Sequence, residues 1–199
     1  MENFKEIGRI ICILCLVTTN LAGQELLVDQ ASGDLNEIVT TTSRIPPGQI
    51  AQSFTPSLSA VGFVQLTTVV NLFPGNDQVT LAVNLRAGSY NGPILSSTDP
   101  VVLVNHTTEI GTFYYPQNVA VTPSQLYFFE PVVLAGGSVD IGYKFPSTYP
   151  GGEAWNNGVP SATGADYWFR EGVVVPEPSA ACLLLAGLVL IPILRRSRV

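Results

Sequence analysis

The stretch that decides the fold reads Val79-Thr80-Leu81-Ala82-Val83-Asn84-Leu85-Arg86. Its odd-numbered positions carry large aliphatic side chains, and its even-numbered positions carry threonine, alanine, asparagine and arginine. Successive side chains of a β-strand point to opposite faces of the sheet, so this period of two predicts a strand with one face in a core and the other toward solvent.

The same pattern recurs along the middle of the chain, and no helical period competes with it there. Turn-forming combinations such as Asn91-Gly92-Pro93 and Thr122-Pro123-Ser124 separate the β-rich runs. Many short strands at this spacing predict an all-β fold, an antiparallel β-sandwich or jelly roll. The further β-rich runs are 61–72, 101–104, 110–115, 119–121, 126–134 and the alternating set Val139, Ile141, Tyr143 and Phe145.

The N-terminus has the order of parts of a secretory signal peptide. Lys5 and Arg9 precede an apolar run at 10–17, and the small residues Ala22 and Gly23 follow it. The run is about half the roughly 20 residues that a membrane-spanning helix needs. We expect a signal peptide at 1–23, removed by signal peptidase after Ala22 or Gly23; the alternative is a buried segment that starts a cytosolic domain.

Composition divides the remainder into a polar segment at 24–45, expected to be a linker or a loose first strand, and a β-sandwich domain at 46–172. The three cysteines lie in the predicted signal segment and in the C-terminal tail, so the exported portion has no thiol for a disulfide. Positions 24 to 175 contain twelve acidic residues and four basic ones, which gives this segment a net charge of −8. Such a surface repels phosphate backbones, which excludes nucleic acid as a partner.

The last segment, 173–199, contains three signals in a fixed order. The motif Val175-Pro176-Glu177-Pro178 is followed by an almost wholly apolar run at 180–194 and by a basic tail. The run predicts a short transmembrane helix, and clustered arginines favour the cytoplasmic side, which places the β domain outside. The tail arginines are Arg195, Arg196 and Arg198.

This C-terminal constellation resembles the PEP-CTERM sorting signal of exopolysaccharide-producing bacteria. The resemblance implies recognition by an exosortase, a membrane protease that cuts near the Pro-Glu-Pro motif, with this chain as its substrate. The expected location is the inner membrane facing the periplasm, and then the cell surface or extracellular matrix. An ordinary C-terminal anchor preceded by a proline-rich stalk is the alternative.

The middle of the chain is also similar, more loosely, to small secreted carbohydrate-binding-like jelly rolls. The segments that carry this resemblance are 52–56, 92–95, 121–123 before the aromatic run 126–129, and 149–152 leading to 166–170. They consist mostly of turns and core positions, so the resemblance bears on the fold more than on a ligand.

One loop-rich region combines aromatic rings with hydrogen-bonding side chains, a composition suited to stacking on sugar rings and binding hydroxyl groups. The alternative is that its rings pack a long loop. Trp168 and Phe169, close by in sequence, are expected in the core of the last strand. The candidate carbohydrate contacts are Tyr149, Trp155, Asn156, Asn157 and Asp166.

Catalytic chemistry is sparse in this sequence. His106 is the only histidine, and it is expected to be a solvated loop residue rather than a general base. Glu153 and Asp166 offer two carboxylates to a glycoside-acting enzyme, which is the alternative function. Asn76-Asp77 fits a tight turn better than a calcium site. The sequence therefore predicts no catalytic residue, metal or cofactor, and favours a structural or adhesive surface protein with weak exopolysaccharide binding.

Overall fold

A computed structural model of the chain describes residues 24–36, 41–45, 50–71, 78–104, 108–147, 149–161 and 164–176. The described residues form fourteen β-strands in two antiparallel sheets and no helix, which confirms the all-β prediction. The strands are β1 (Gln24–Ala31), β2 (Thr41–Arg44), β3 (Ile50–Phe54), β4 (Ala60–Asn71), β5 (Gln78–Ala87), β6 (Ile94–Ser97), β7 (Val101–Val104), β8 (Thr108–Ala120), β9 (Tyr127–Gly136), β10 (Ser138–Lys144), β11 (Ala154–Asn156), β12 (Val159–Pro160), β13 (Asp166–Tyr167) and β14 (Phe169–Pro176).

The first sheet, sheet A, has the order β1-β14-β4-β10-β13, with β8 on β4 and β2 on β10. The long strand β4 pairs with β8 along one edge, and with β14 and then β10 along the other. β4 and β10 pair with each other only at one end. Beyond that end, β13 pairs with β10 and β14 pairs with β4. Trp168 lies between β13 and β14. Its backbone N–H donates to the carbonyl of Gly142 at 2.8 Å, and its side chain is completely buried.

The second sheet, sheet B, has the order β12-β11-β3-β9-β5-β6, with β7 also on β5. The alternation predicted for 79–86 is confirmed except at Ala82: the four odd-numbered residues are completely buried, Thr80, Asn84 and Arg86 are half-buried, and Ala82 is also buried. Phe129 of sheet B meets Phe169 of sheet A with ring centroids 5.0 Å apart, so the inner faces of both sheets build one core. Trp168 and Phe169 are buried, as expected.

Three details refine or correct the sequence prediction. The segment 24–45 is expected to be a linker or a loose first strand; its strands β1 and β2 pair with β14 and β10 in sheet A, and the compact unit extends from Leu26 to Val174. The run 110–115 and the first two residues of the run 119–121 lie in one strand, β8, which ends at Ala120. The alternating pattern of β10 stops at Lys144, and Phe145 beyond it is 64% exposed, because Pro146 has no N–H to continue the ladder.

A second unit, Met1–Glu25 with Val175–Val199, lies almost wholly outside the described residues. The predicted signal peptide, the apolar run at 180–194 and the basic tail therefore lie outside them as well. Within the described ranges, no helix has the length and apolar character needed to cross a membrane.

Candidate functional site

The loop-rich region contains a tight β-hairpin formed by β11 and β12. Trp155 pairs with Pro160 and Asn156 pairs with Val159, which leaves Asn157-Gly158 as a two-residue turn. Both turn residues have positive φ, 52° and 77°, as a type I′ turn requires. Asn-Gly is the pair that adopts this turn at least cost, so these two residues fix the hairpin and project the Asn156 and Asn157 side chains into solvent.

Trp155 is half-buried in a small aromatic cluster on the outer face of sheet B. Its ring stacks on Tyr90 with centroids 6.2 Å apart and an interplanar angle of 15°. The edge contact with Phe128, at 5.4 Å and 81°, covers another part of the ring. Its indole N–H is buried and has no hydrogen-bond partner in the described part of the chain. Trp155 therefore contributes to packing and has little open ring face.

Three polar side chains beside this cluster hold the loop that carries Tyr90. Arg86 forms an ion pair with Glu130 at 2.8 Å, and Asn84 donates to the same carboxylate oxygen at 3.0 Å. A further guanidinium N–H of Arg86 donates to the carbonyl of Gly92 at 2.8 Å, which closes the 88–93 turn over the sheet. Partial burial raises the pKa of Tyr90, the Glu130 charge adds to this, and Arg86 opposes it.

Tyr149 and Asp166 lie in the interior, away from solvent. Tyr149 is 6% exposed, its ring meets Phe169 edge-on at 5.1 Å, and its hydroxyl accepts the N–H of Thr55 at 3.1 Å. Burial is the main cause that raises the pKa of Tyr149 to about 12; the Thr55 N–H lowers it, and nearby carboxyl groups raise it.

Asp166 is completely buried and accepts three hydrogen bonds. The donors are the Gln52 side-chain amide at 2.9 Å, the Tyr149 N–H at 3.2 Å and the Ser147 hydroxyl. Gln52 in turn accepts the N–H of Tyr167 at 2.8 Å. The carboxylate thus connects β3, β13 and the segment after β10, and it has no exposed surface that a sugar could contact.

The five predicted carbohydrate contacts therefore divide into two groups. Trp155, Asn156 and Asn157 share the surface hairpin, whereas Tyr149 and Asp166 are interior residues, and the prediction needs correction for those two. Tyr90 was missed, because it lies about 65 positions before Trp155 and only the pairing of distant strands brings them together. The signal that could have revealed the hairpin was the Asn157-Gly158 pair.

The remaining candidate residues carry no assembled chemistry among the described residues. There, no group of three or more histidine, cysteine, aspartate or glutamate side chains is placed to hold a metal ion. The predicted positions His106, Asn76, Asp77, Glu177 and Pro178 lie outside the described ranges. Glu153 is half-buried in the loop directly before β11. Its proposed catalytic partner, Asp166, is inaccessible to solvent.

The folded unit has a side-chain clamp at its C-terminal end. Asn118 of β8 donates to the carbonyl of Val174 at 3.2 Å and accepts the N–H of Val174 at 3.3 Å. The side-chain amide thus takes the place of a neighbouring strand's backbone for this residue. Val174 is the last residue of the compact unit, and β14 continues through Val175 and Pro176, the first two residues of the predicted sorting motif.

Comparisons with known proteins add little to this geometry. No family model and no curated protein matches the chain. A solved structure described as "Structure of infectious bursal disease virus Gx strain" is 14% identical, with 88% of this chain and 48% of that chain covered and a TM-score of 0.23. The chain thus spans about half the length of that virus chain, and a likeness at this TM-score carries no argument about fold or function.

Proposed function

We propose that this protein is an exported substrate of an exosortase, anchored in the inner membrane by its C-terminal segment and then transferred to the cell surface or extracellular matrix. Its role there is structural or adhesive, and the β-sandwich is the part presented outside. The proposal requires two processing partners, signal peptidase and exosortase, and no cofactor.

The order of signals along the chain is the observation that carries this proposal. A signal-like N-terminus, a β domain without cysteine, the Val175-Pro176-Glu177-Pro178 motif, an apolar run and clustered arginines all imply the same orientation across a membrane. The Asn118 clamp supports it, because the folded unit ends at Val174, immediately before the motif. A protease would then meet the motif directly beside a folded domain.

Deleting residues 180–199 is expected to release the protein into the medium, because the proposed membrane affinity comes from the apolar run. Replacing Pro176-Glu177-Pro178 with three alanines is expected to leave an uncut, membrane-bound form in a host with an exosortase. Immunoblots of membrane and medium fractions measure both. A matched replacement of Thr122-Pro123-Ser124 in an exposed turn should leave processing unchanged.

Two results would contradict this proposal. Equal processing of the motif variant and wild type would mean that the tail is an ordinary membrane anchor and not a sorting signal. Release of the full-length chain into the medium with an intact tail would mean that the tail does not anchor the protein in the membrane.

Weak carbohydrate binding is the second candidate function, and the hairpin surface favours it. Asn156 and Asn157 are exposed side by side, with the Asn157 amide donating to the Asn156 carbonyl at 3.0 Å, and the half-buried Tyr90 and Trp155 rings lie next to them. The exposed amide groups suit the hydroxyl groups of a sugar, and the accessible parts of the two half-buried rings add a small apolar surface. The two-carboxylate enzyme loses support, since Asp166 is buried.

Combining Asn156→Ala with Asn157→Gly is expected to weaken retention on the cell's own exopolysaccharide several-fold, while stability changes by less than about 0.5 kcal/mol. Glycine preserves the positive φ at position 157. Affinity electrophoresis measures retention, with Gln117→Ala on exposed β8 as the control. Trp155→Ala is a poorer test, because loss of its packing is expected to cost about 2–3 kcal/mol. Unchanged retention of the double variant would end the carbohydrate proposal.

A further inference from the structure

Glu171 of β14 is a carboxyl group enclosed in the core. Leu66 and Val64 of β4 face the core, and they pair in register with Phe169 and Glu171. Because side chains alternate along a strand, Glu171 points to the same inner face as Phe169. Its relative exposure is 0%.

Neither carboxyl oxygen of Glu171 has a hydrogen-bond partner among the described residues. The hydroxyl of Tyr115, on β8 across β4, is buried and equally without a partner there. Buried polar groups in native proteins are nearly always paired, and an ionised carboxylate without a partner is far more costly to bury than a neutral carboxylic acid. The fold thus accommodates the neutral form of Glu171 much better than the charged form.

The surrounding groups reinforce this preference. Burial is the main cause that raises the pKa of Glu171 to about 9, and the negative charge of Asp29 on β1 adds to it. The other titratable groups coupled to Glu171 are Tyr115 on β8 and Tyr149 in the segment after β10, and both have raised pKa values, chiefly through burial. Within the part of the chain that the structure describes, no basic side chain contributes to the raised pKa of Glu171.

The position of Glu171 determines which part of the fold would respond to its charge. In-register pairing of β14 with β4 extends from Phe169 to Gly172, and beyond it the Asn118 clamp holds Val174. Opening the strand from Val174 back to Glu171 breaks these bonds and the pairing of this part of β14 with β1, and it leaves Phe169 in place. Such local opening generally costs much less than global unfolding.

We propose that Glu171 is a protonation-dependent latch on the last strand: its neutral side chain keeps the end of β14 in sheet A, and its ionisation releases that end into solvent. The latch concerns the folded unit alone and does not depend on export or sorting. Where sorting occurs, the same opening would lengthen the free segment before the motif at 175–178.

The direction of the pH effect follows from proton linkage. The folded pKa of about 9 lies above the ordinary value of 4.5, so the closed state binds more protons than the open state between these values. The stabilising effect of the neutral carboxyl is complete below about pH 4.5 and is lost as pH rises through 9. Within this window the opening equilibrium should increase about tenfold per pH unit.

The test compares the full-length chain in detergent with Glu171→Gln and with Glu109→Gln, an exposed control on β8. Hydrogen exchange of peptides from 169–174 is measured from pH 5 to pH 9, and each variant is compared with wild type at the same pH to cancel the chemical exchange rate. We expect opening in wild type and Glu109→Gln to rise about tenfold per unit, and Glu171→Gln to stay flat. Thermal melting should show Glu171→Gln above wild type at pH 8.

A second measurement keeps the proposal testable if Glu171→Gln does not fold. The infrared carbonyl band of a protonated carboxylic acid should persist in the wild-type chain at pH 7 and disappear near pH 9. Loss of that band near pH 5, or identical pH dependence of exchange in Glu171→Gln and wild type, would overturn the latch.

Discussion

Replacing Asp166 with alanine is expected to destabilise the domain by on the order of 3–5 kcal/mol. The substitution removes the acceptor for three donors, from Gln52, Ser147 and Tyr149. Each buried donor left unpaired costs roughly 1–3 kcal/mol, and water cannot easily replace the acceptor in an enclosed site. Gln52 would also lose the position from which it accepts the N–H of Tyr167.

Urea unfolding monitored by tryptophan fluorescence measures this loss, since Trp168 lies two residues along the chain. Asp166→Asn keeps one acceptor oxygen and should retain part of the stability. Asp99→Ala removes an exposed carboxylate and serves as the control, with an expected change within about 0.5 kcal/mol. If Asp166→Ala were as stable as the control, the carboxylate would be accessible, and the sugar-binding and catalytic hypotheses for it would return.

The sequence predicts the fold class well because the decisive information is local. The alternation in β5, the strand at 101–104 and the aromatic run that opens β9 are patterns of neighbouring residues, and burial of alternate side chains follows directly from strand geometry. It leaves 24–45 open between a linker and a loose first strand, because the polar edge strand Gln24–Ala31 has no core pattern. β1 joins the sheet by pairing with β14, and Ser32, directly after β1, accepts the N–H of Phe169 at 2.9 Å from 137 positions away.

Two of the five predicted contacts, Tyr149 and Asp166, were misplaced because sequence alone does not show which distant segments cover a residue. Tyr149 and Asp166 are polar residues near glycine in the sequence, which is typical of an exposed loop. Their burial depends on Gln52, 114 positions before Asp166, and on a strand pairing that local composition does not encode. Glu171 is the clearest example of burial that the sequence does not predict. Its neighbours in sequence suggest an ordinary solvent-facing carboxylate, and only the register of β14 on β4 places it inside.

Replacing Gly172 with alanine is expected to detach β1 from the sheet, with a loss of stability of about 3 kcal/mol, at the upper end of overpacking effects. An added Cβ at this position would overlap the carbonyl oxygen of Leu27 and lie 2.9 Å from its carbonyl carbon and 3.0 Å from the Asp29 nitrogen. These are backbone atoms of β1, so no rotamer change can relieve the overlap, and the strand must move.

Detachment of β1 would propagate, because this strand carries the Asp29 carboxylate that accepts the N–H groups of Ser57 at 2.8 Å and Leu58 at 2.9 Å. Hydrogen exchange of Gly172→Ala should therefore lose protection in β1 and around 57–58 while β5 stays protected. Gly88→Ala is the control: its φ of 72° brings a backbone cost of about 1 kcal/mol, but its added Cβ meets nothing within 4 Å. A Gly172→Ala protein no less stable than this control, with β1 still protected, would mean that β1 does not pack on β14. Freed of β1, Glu171 would also lose its Asp29 neighbour and part of its burial, so the alkaline opening of β14 should weaken in this variant.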